Sequence, residues 1–201
     1  MSASLTYFDF EGSRGLACRL ALSIAGVPFT DIRLDRPQWA ELKPSTPFGG
    51  LPLFSQNGRQ IAQSTAILRY IGTTHGLHPT DAWRAAEHDA VMQSVEDLRH
   101  KMPGTRHMPE DEKRSAREEF AAGWLTRWSQ TISDQLKGPF LDGDALHVAD
   151  IKLYVILRAC LTGVYDYIPS SFFGTWPKLE GLIDAMEEDP RVMAYFQSRS
   201  E

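Results

Sequence analysis

Tyr7 lies at the end of a short apolar run, Leu5 to Phe8, that reads as a buried strand and would deliver its phenol to the strand's end. A phenol with a pKa near ~10 stays protonated at neutral pH, so it is a standing hydrogen-bond donor. Such a donor stabilises an anion, a thiolate for example, without having to take its proton. Taken alone, Tyr7 is equally a core tyrosine. Ser13 brings a second hydroxyl to the same stretch, and Arg14 brings a cation. Trp39 and Lys43 are four residues apart, so one helical turn puts an indole N–H and an ammonium on one face. Gln63-Ser64 stands where a strand pattern gives way to a helix pattern. The first N–H groups of a helix have no internal partners and lie at the positive end of its dipole, so a carboxylate is stabilised there. Ser64 can also serve as a plain N-cap.

Other chemistries find less support. Cys18 and Cys160 are the only cysteines and form no CxxC pair, which predicts neither a disulfide framework nor a zinc site. Cys18 falls inside a helix pattern and reads as a buried thiol. His75 and His78 flank a turn with no matching acid pair, so no metal is expected. Gly49-Gly50 lacks the spacing of a phosphate loop.

The elements that must position these residues fall into two halves. Leu16, Leu20 and Ile24 recur every four residues before Gly26, which predicts an amphipathic helix with a glycine stop. Phe29 to Leu34 alternates as a half-buried strand does, and residues 35–50 are rich in proline and glycine. Leu51–Ser55 and Arg59–Ala62 flank Asn57-Gly58, a strong hairpin signal. Ser64 opens a helix carrying Ile67, Leu68 and Ile71, closed by Gly76. The order predicts a small mixed sheet with helices packed on it. After residue 80 the strand signals stop. Ala82–Lys101 reads as a helix, and Phe120, Trp124, Trp128, Ile132 and Leu136 form one stripe at spacing four. Val148–Leu161 is apolar nearly all round, as the central helix of a bundle would be, and Pro177 and Pro190 sit where first helical turns begin. The expected division is 1–76, a linker at 77–81, and an all-helical 82–201.

Of the 201 residues, 42% are hydrophobic and 23% charged, and the net charge is −5. That balance supports a proper core and gives no electrostatic reason to seek nucleic acid or anionic membrane. No apolar stretch approaches the ~20 residues of a membrane span. The first residues carry no basic or apolar signal region, so no secretory signal is expected. With so few cysteines, a reducing, cytoplasmic setting is expected.

Tyr7, the segment Trp39 to Pro52 and the segment Gln63 to Tyr70, in this order and on these elements, resemble the cytosolic glutathione transferase superfamily. The likeness is greatest to its sigma class, to which glutathione-dependent prostaglandin D synthases belong. The resemblance implies an α/β plus all-α fold: a thioredoxin-like N-terminal domain, βαβ-α-ββα, followed by a C-terminal helical bundle. It implies glutathione as co-substrate, and conjugation to small hydrophobic electrophiles in the service of detoxification. It also implies a homodimer. Alternatives are a non-catalytic binder of glutathione or apolar ligands, and a glutathione-dependent isomerase or peroxidase.

By that resemblance, Gly50, Leu51 and Pro52 form the cis-proline corner against which the ligand's cysteinyl backbone pairs like an added strand. Gln63 and Ser64 take the γ-glutamyl carboxylate, while Arg14, Trp39 and Lys43 surround the ligand, Lys43 pairing with the glycyl carboxylate. Asp97 of a second subunit reaches its amine. Tyr7 activates the sulfur. Phe8, Phe10, Met102, Arg106 and Tyr154 are candidates for the second-substrate pocket. The chain departs from the sigma pattern in its Tyr7-to-Arg14 loop, which is one residue longer and carries Ser13, a rival to Tyr7. Leu16 replaces an acid after the glycine, and His147 stands where the family has a Ser/Thr cap partner for Asp150.

Overall fold

The computed structural model describes residues 3–199. β1 (Ala3–Phe8) buries alternate residues, so Ala3, Leu5 and Tyr7 share the covered face. Helix α1 (Ser13–Ile24) carries the chain over to β2 (Thr30–Leu34), which lies parallel to β1 with Tyr7 opposite Arg33. β3 (Leu53–Gln56) runs antiparallel to β1, and β4 (Arg59–Ala62) pairs with β3 through the Asn57-Gly58 turn. Both turn residues have positive φ, 51° and 75°, which is why an Asn-Gly pair is needed. The sheet order is β2-β1-β3-β4. The strand expected from Leu51 begins at Leu53 instead, because Pro52 has no N–H to give a ladder. The Leu51–Pro52 peptide is cis.

Part of the proline-rich stretch is helical. α2 (Arg36–Leu42) starts on a capping box in which Asp35 accepts the Gln38 N–H (2.8 Å) and Gln38 accepts the Asp35 N–H (2.9 Å). Two 3₁₀ turns, Lys43–Ser45 and Pro47–Gly49, follow. α3 (Ser64–His75) ends on Gly76 at φ 72°.

The rest is helical: α4 (Ala82–Lys101), α5 (Glu110–Phe120), α6 (Thr126–Gln135), α7 (Val148–Leu161), α8 (Pro177–Glu188) and α9 (Pro190–Gln197). The aromatic stripe does not lie on one regular helix. A π turn at Ala121–Leu125 joins α5 to α6, and Trp124 is only half-buried, stacked on Phe120 at 5.9 Å. α7 is buried all round and packs on α1, α3 and α4, so the two halves share one continuous core. Asp150 holds the start of α7 by accepting the N–H groups of Leu141 and His147, both at 2.9 Å. Burial pushes its carboxyl up to about 7 against those two bonds. Burial likewise pushes the Cys18 and Cys160 thiols to about 12, as inert core residues. Among the described residues no helix is long and apolar enough to cross a membrane.

Leu77 ties the end of α3 to the start of α7: its N–H donates to Gly72 (2.8 Å) and its carbonyl accepts from Val148 (2.9 Å). A Cβ on Gly72 would stand 2.9 Å from His78 Cβ, 3.0 Å from Val148 Cγ2 and 3.1 Å from the Leu77 oxygen. Helix propensity favours Gly72→Ala by ~1 kcal/mol, but overpacking at such contacts costs ~1–3 kcal/mol. The steric effect wins, so Gly72→Ala should lower the melting temperature by several degrees; a rise would mean that the helices do not meet this closely.

Candidate active site

The Tyr7 ring is packed against the first turn of α1 and the rings of Phe8 and Phe10. The chain is 5% exposed there, and a Cβ on Gly15 would fall 2.0 Å from the ring, so only glycine lets the first turn of α1 pass. The rings of Phe8 and Phe10 lie 5.5 and 5.6 Å away, and the Arg19 guanidinium 5.8 Å from the ring centre. Arg19 is fully buried and donates to the carbonyls of Phe8 (3.2 Å) and Phe10 (2.9 Å). Arg33 pairs with Asp9 (3.0 Å), Asp31 (2.8 Å) and Glu11. Glu11 also accepts the Tyr195 hydroxyl of α9 at 2.7 Å. Burial alone would raise the Glu11 carboxyl; Arg33 and Tyr195 outweigh it and hold the pKa low. The long loop after Tyr7 is therefore clamped by ion pairs from β2 and the last helix. Ser13 begins α1 at φ 56°, makes no cap, and accepts from Arg99 Nη1 of α4 at 3.1 Å.

Arg14, Leu51, Gln63 and Ser64 line one open cleft of about 930 Å³ between α3 and α4. Gln63, not Ser64, holds the N-cap position of α3, at φ 73°, and no side chain caps the helix. The leading N–H groups of α3 thus lack a side-chain acceptor. Ser64 is buried at the first helical position. Its Oγ lies 3.5 Å from Glu96 Oε1 and 3.5 Å from Lys152 Nζ. Lys152 also donates to Thr65 Oγ1 (2.6 Å) and pairs with Glu96 (2.9 Å). Arg14 reaches the other Glu96 oxygen through Nε (2.8 Å) and Nη2 (2.6 Å). Burial would raise the Glu96 carboxyl, but Lys152 and Arg14 overcome it and hold the pKa at about 2. Burial lowers the Lys152 pKa, with Glu96 opposing in part.

Phe8, Phe10 and Trp39 line a second cavity of about 740 Å³, with Leu34, Asp35 and Arg36. Trp39 stands edge-on to Phe8 at 5.8 Å. Lys43 is exposed at the C-terminus of α2, Gly50 is half-buried and Pro52 buried; none of the three lines either cavity. The remaining expected pocket residues do not gather with Phe8 and Phe10. Met102 is half-buried at the end of α4 and Arg106 is exposed beyond it. Tyr154, on the interior of α7, lines a separate groove with Arg158, Glu187 and Val192. Asp97 is exposed and outside the cleft of its own chain; Glu96, one residue earlier and about 100° round the helix, faces it, as does Asp89 two turns before. Sequence reasoning missed Glu96, Arg99 and Lys152. Only Lys152 left a signal, a charged residue within an apolar helical run.

The fold also gathers donors that the sequence scatters. Asp142 Oδ2 lies 3.0 Å from His88 Nε2 and 3.9 Å from His147 Nδ1, and one donor atom from each of the three residues falls within 4.8 Å of the others. The other Asp142 oxygen is held by Arg84, with Lys137 at 3.8 Å. Burial lowers His88 to about 4, which leaves it neutral at pH 7. A divalent ion here would meet suitable ligands, but also two fixed cations on the same carboxylate.

A mixed sheet of this order with helices packed on it and an appended helical bundle define a two-part fold with an N-terminal half of the thioredoxin type. Residues 3–73 match the family model described as "Glutathione S-transferase, N-terminal domain", and residues 96–199 match "Glutathione S-transferase, C-terminal domain". Glutathione S-transferase 1 of Ascaris suum is 45% identical over 94 residues, 47% of this chain and 45% of that one. Whole-length likeness is found with a glutathione S-transferase of Anopheles gambiae, 27% identical over 96% of this chain and 94% of that one. Hematopoietic prostaglandin D synthase of Gallus gallus is 28% identical over 97% and 95%. The solved structure of prostaglandin synthase D of Nilaparvata lugens superposes with a TM-score of 0.86 at 30% identity, covering 99% of this chain and 98% of that one. The chain belongs to the glutathione S-transferase family, and glutathione transfer is the activity class that membership carries.

Glu96 ties acid stability to the cleft. Its folded-state pKa of about 2 lies below the ordinary 4.5, so its stabilisation is complete above pH 4.5 and drains as the pH falls toward 2. Glu96→Gln leaves a buried ammonium without its counter-charge, at a cost of ~3 kcal/mol. The melting gap between wild type and Glu96→Gln should be widest above pH 4.5 and close as the solution is acidified; a gap that ignores pH would contradict the pairing.

Proposed function

We propose that the chain binds glutathione in the Arg14–Leu51–Ser64 cleft and conjugates its sulfur to small hydrophobic electrophiles. The single observation that carries this reading is the uncapped start of α3, with Ser64 and Arg14 facing one cleft. That end of the helix favours the γ-glutamyl carboxylate through unpaired N–H groups, the dipole and the Ser64 and Gln63 side chains. Leu51 lines the same cleft ahead of β3, outside the ladders, so its N–H and C=O can pair with the extended cysteinyl backbone. Trp39 and Lys43 take the glycyl end. Residues 1–76 form the glutathione-binding unit, 77–81 the linker and 82–201 the helical unit.

Tyr7 then donates its hydroxyl to the sulfur. A free thiol with pKa ~8.5 is only a few per cent thiolate at neutral pH, and a donor that prefers the anion increases that fraction. The thiol proton leaves to solvent, and the thiolate's electron pair forms the new bond to an electrophilic carbon. That carbon releases its leaving group, or its π-bond electrons move to the neighbouring atom. The cavity beside Phe8, Phe10 and Trp39 offers an apolar wall for that partner. We further assign the chain to a cytoplasmic homodimer with a detoxifying role. Phe48 supports the dimer: 81% exposed on the turn beside the cleft, it is an apolar ring suited to a second copy, whose Asp97 would reach the ligand's amine.

Two observations favour variants of this reading. Likeness to prostaglandin D synthases supports a glutathione-dependent isomerisation. The bond from Arg99 to Ser13 fills one acceptor site of that hydroxyl and leaves its proton to give, which supports Ser13 as the activating group. Tyr7→Phe separates the two activators. Turnover of an aryl halide with glutathione should fall by about 10²-fold while glutathione affinity changes little. Retained turnover in Tyr7→Phe, together with its loss in Ser13→Ala, would transfer the role to Ser13.

A further inference from the structure

We propose that Lys152 is a positioning residue of the glutathione site, its ammonium holding the Ser64 and Thr65 hydroxyls and Glu96 so that the start of α3 receives the ligand's α-carboxylate. The inference rests on reading the Arg14–Leu51–Ser64 cleft as the glutathione site.

Lys152 lies on the central helix α7 and is 2% exposed. An ammonium removed from water costs several kcal/mol unless it is paired and hydrogen-bonded. For the fold alone, an apolar side chain of similar length would serve this position at least as well. The charge is instead met by three groups from two elements: Glu96 of α4 at 2.9 Å, and Thr65 (2.6 Å) and Ser64 (3.5 Å) of α3. The buried Cys18 thiol and Arg99 also face it. Both hydroxyls belong to the first turn of α3, where no side-chain cap is present.

The chemistry of the hydroxyl assigns the direction. Ser64 Oγ sits midway, 3.5 Å from Lys152 Nζ and 3.5 Å from Glu96 Oε1. An ammonium can only donate, so Lys152 engages a lone pair of Oγ and leaves the single hydroxyl proton for an acceptor. Without ligand that acceptor is Glu96; with ligand it is the incoming carboxylate. Charge runs the same way. Arg14 and Lys152 against Glu96 leave one net positive charge beside Ser64. Without Lys152 the remaining pair is neutral, and a second carboxylate would approach Glu96 with only Arg14 to offset the repulsion.

The test is calorimetric titration of the full chain, wild type and variants, with two peptides. One is glutathione. The other is γ-aminobutyryl-cysteinyl-glycine, which keeps the amine and lacks the α-carboxylate. Lys152→Met should weaken glutathione binding by about 10- to 100-fold, the worth of a charge-assisted bond, and leave the truncated peptide within about twofold. Lys152→Arg should recover part of the loss. Thr65→Val, which removes the shortest bond to Lys152, should show the same preference on a smaller scale and serves if Lys152→Met does not fold. Equal losses for both peptides, or no loss for either, would overturn the assignment while leaving the glutathione site standing. A wild-type chain that binds neither peptide would instead bring down the site itself, and this inference with it.

Discussion

A helix that begins without a side-chain cap has N–H donors left over, and the start of α3 at Gln63-Ser64 is such a place. Much of the surrounding architecture serves to keep it both open and ordered. Gln63 is held at φ 73°, a conformation that costs a non-glycine residue ~1–3 kcal/mol and persists only where the surroundings enforce it. β4 delivers the chain to that point, and α4 and α7 close in beneath it with Glu96 and Lys152. The ion pair is buried yet adjoins the cleft, so its order is transmitted to the hydroxyls that line the rim. Polar groups of this kind bring little net stability compared with apolar packing, which is the reason to look for their role in recognition.

The loop after Tyr7 shows a second constraint. The loop between β1 and α1 turns through Ser13, with φ 56°, and leaves Phe10 exposed. Arg19 and Arg33 then pin the loop from below, and Tyr195 anchors it to α9 through Glu11. Tyr7 and Ser13 are therefore fixed by different parts of the molecule, Tyr7 by Gly15 and Arg19 within the first half, Ser13 by Arg99 of the second.

Local signals made much of this fold readable. Asn57-Gly58 marks a hairpin because both residues must adopt positive φ, Pro177 and Pro190 mark helix starts because proline lacks an N–H, and the all-round apolar run of α7 allows only burial. Gln63-Ser64 could be read from a strand-to-helix boundary, whereas Arg14 and Leu51 were joined to the same cleft only by the resemblance to the glutathione transferases. What could not be read depends on rotation and distance. Whether Glu96 or Asp97 faces the cleft is a matter of about 100° of helix phase, which a single sequence does not show when both residues are acidic. Trp124 lost its place in the stripe to a π turn, and Tyr154 lines a different groove from Phe8 and Phe10, which a helix buried all round has no distinguishing face to foretell. Lys152 was visible as an oddity; its partners, 56 and 87 positions back along the chain, were not.

The structure of the chain crystallised with glutathione tests the central claim most directly. The account predicts the γ-glutamyl carboxylate on the leading N–H groups of α3 beside Ser64, and the cysteinyl backbone paired with Leu51. The sulfur should lie within hydrogen-bond reach of the Tyr7 or Ser13 hydroxyl. Glutathione ordered elsewhere on the chain, or no bound glutathione at saturating concentration, would contradict it.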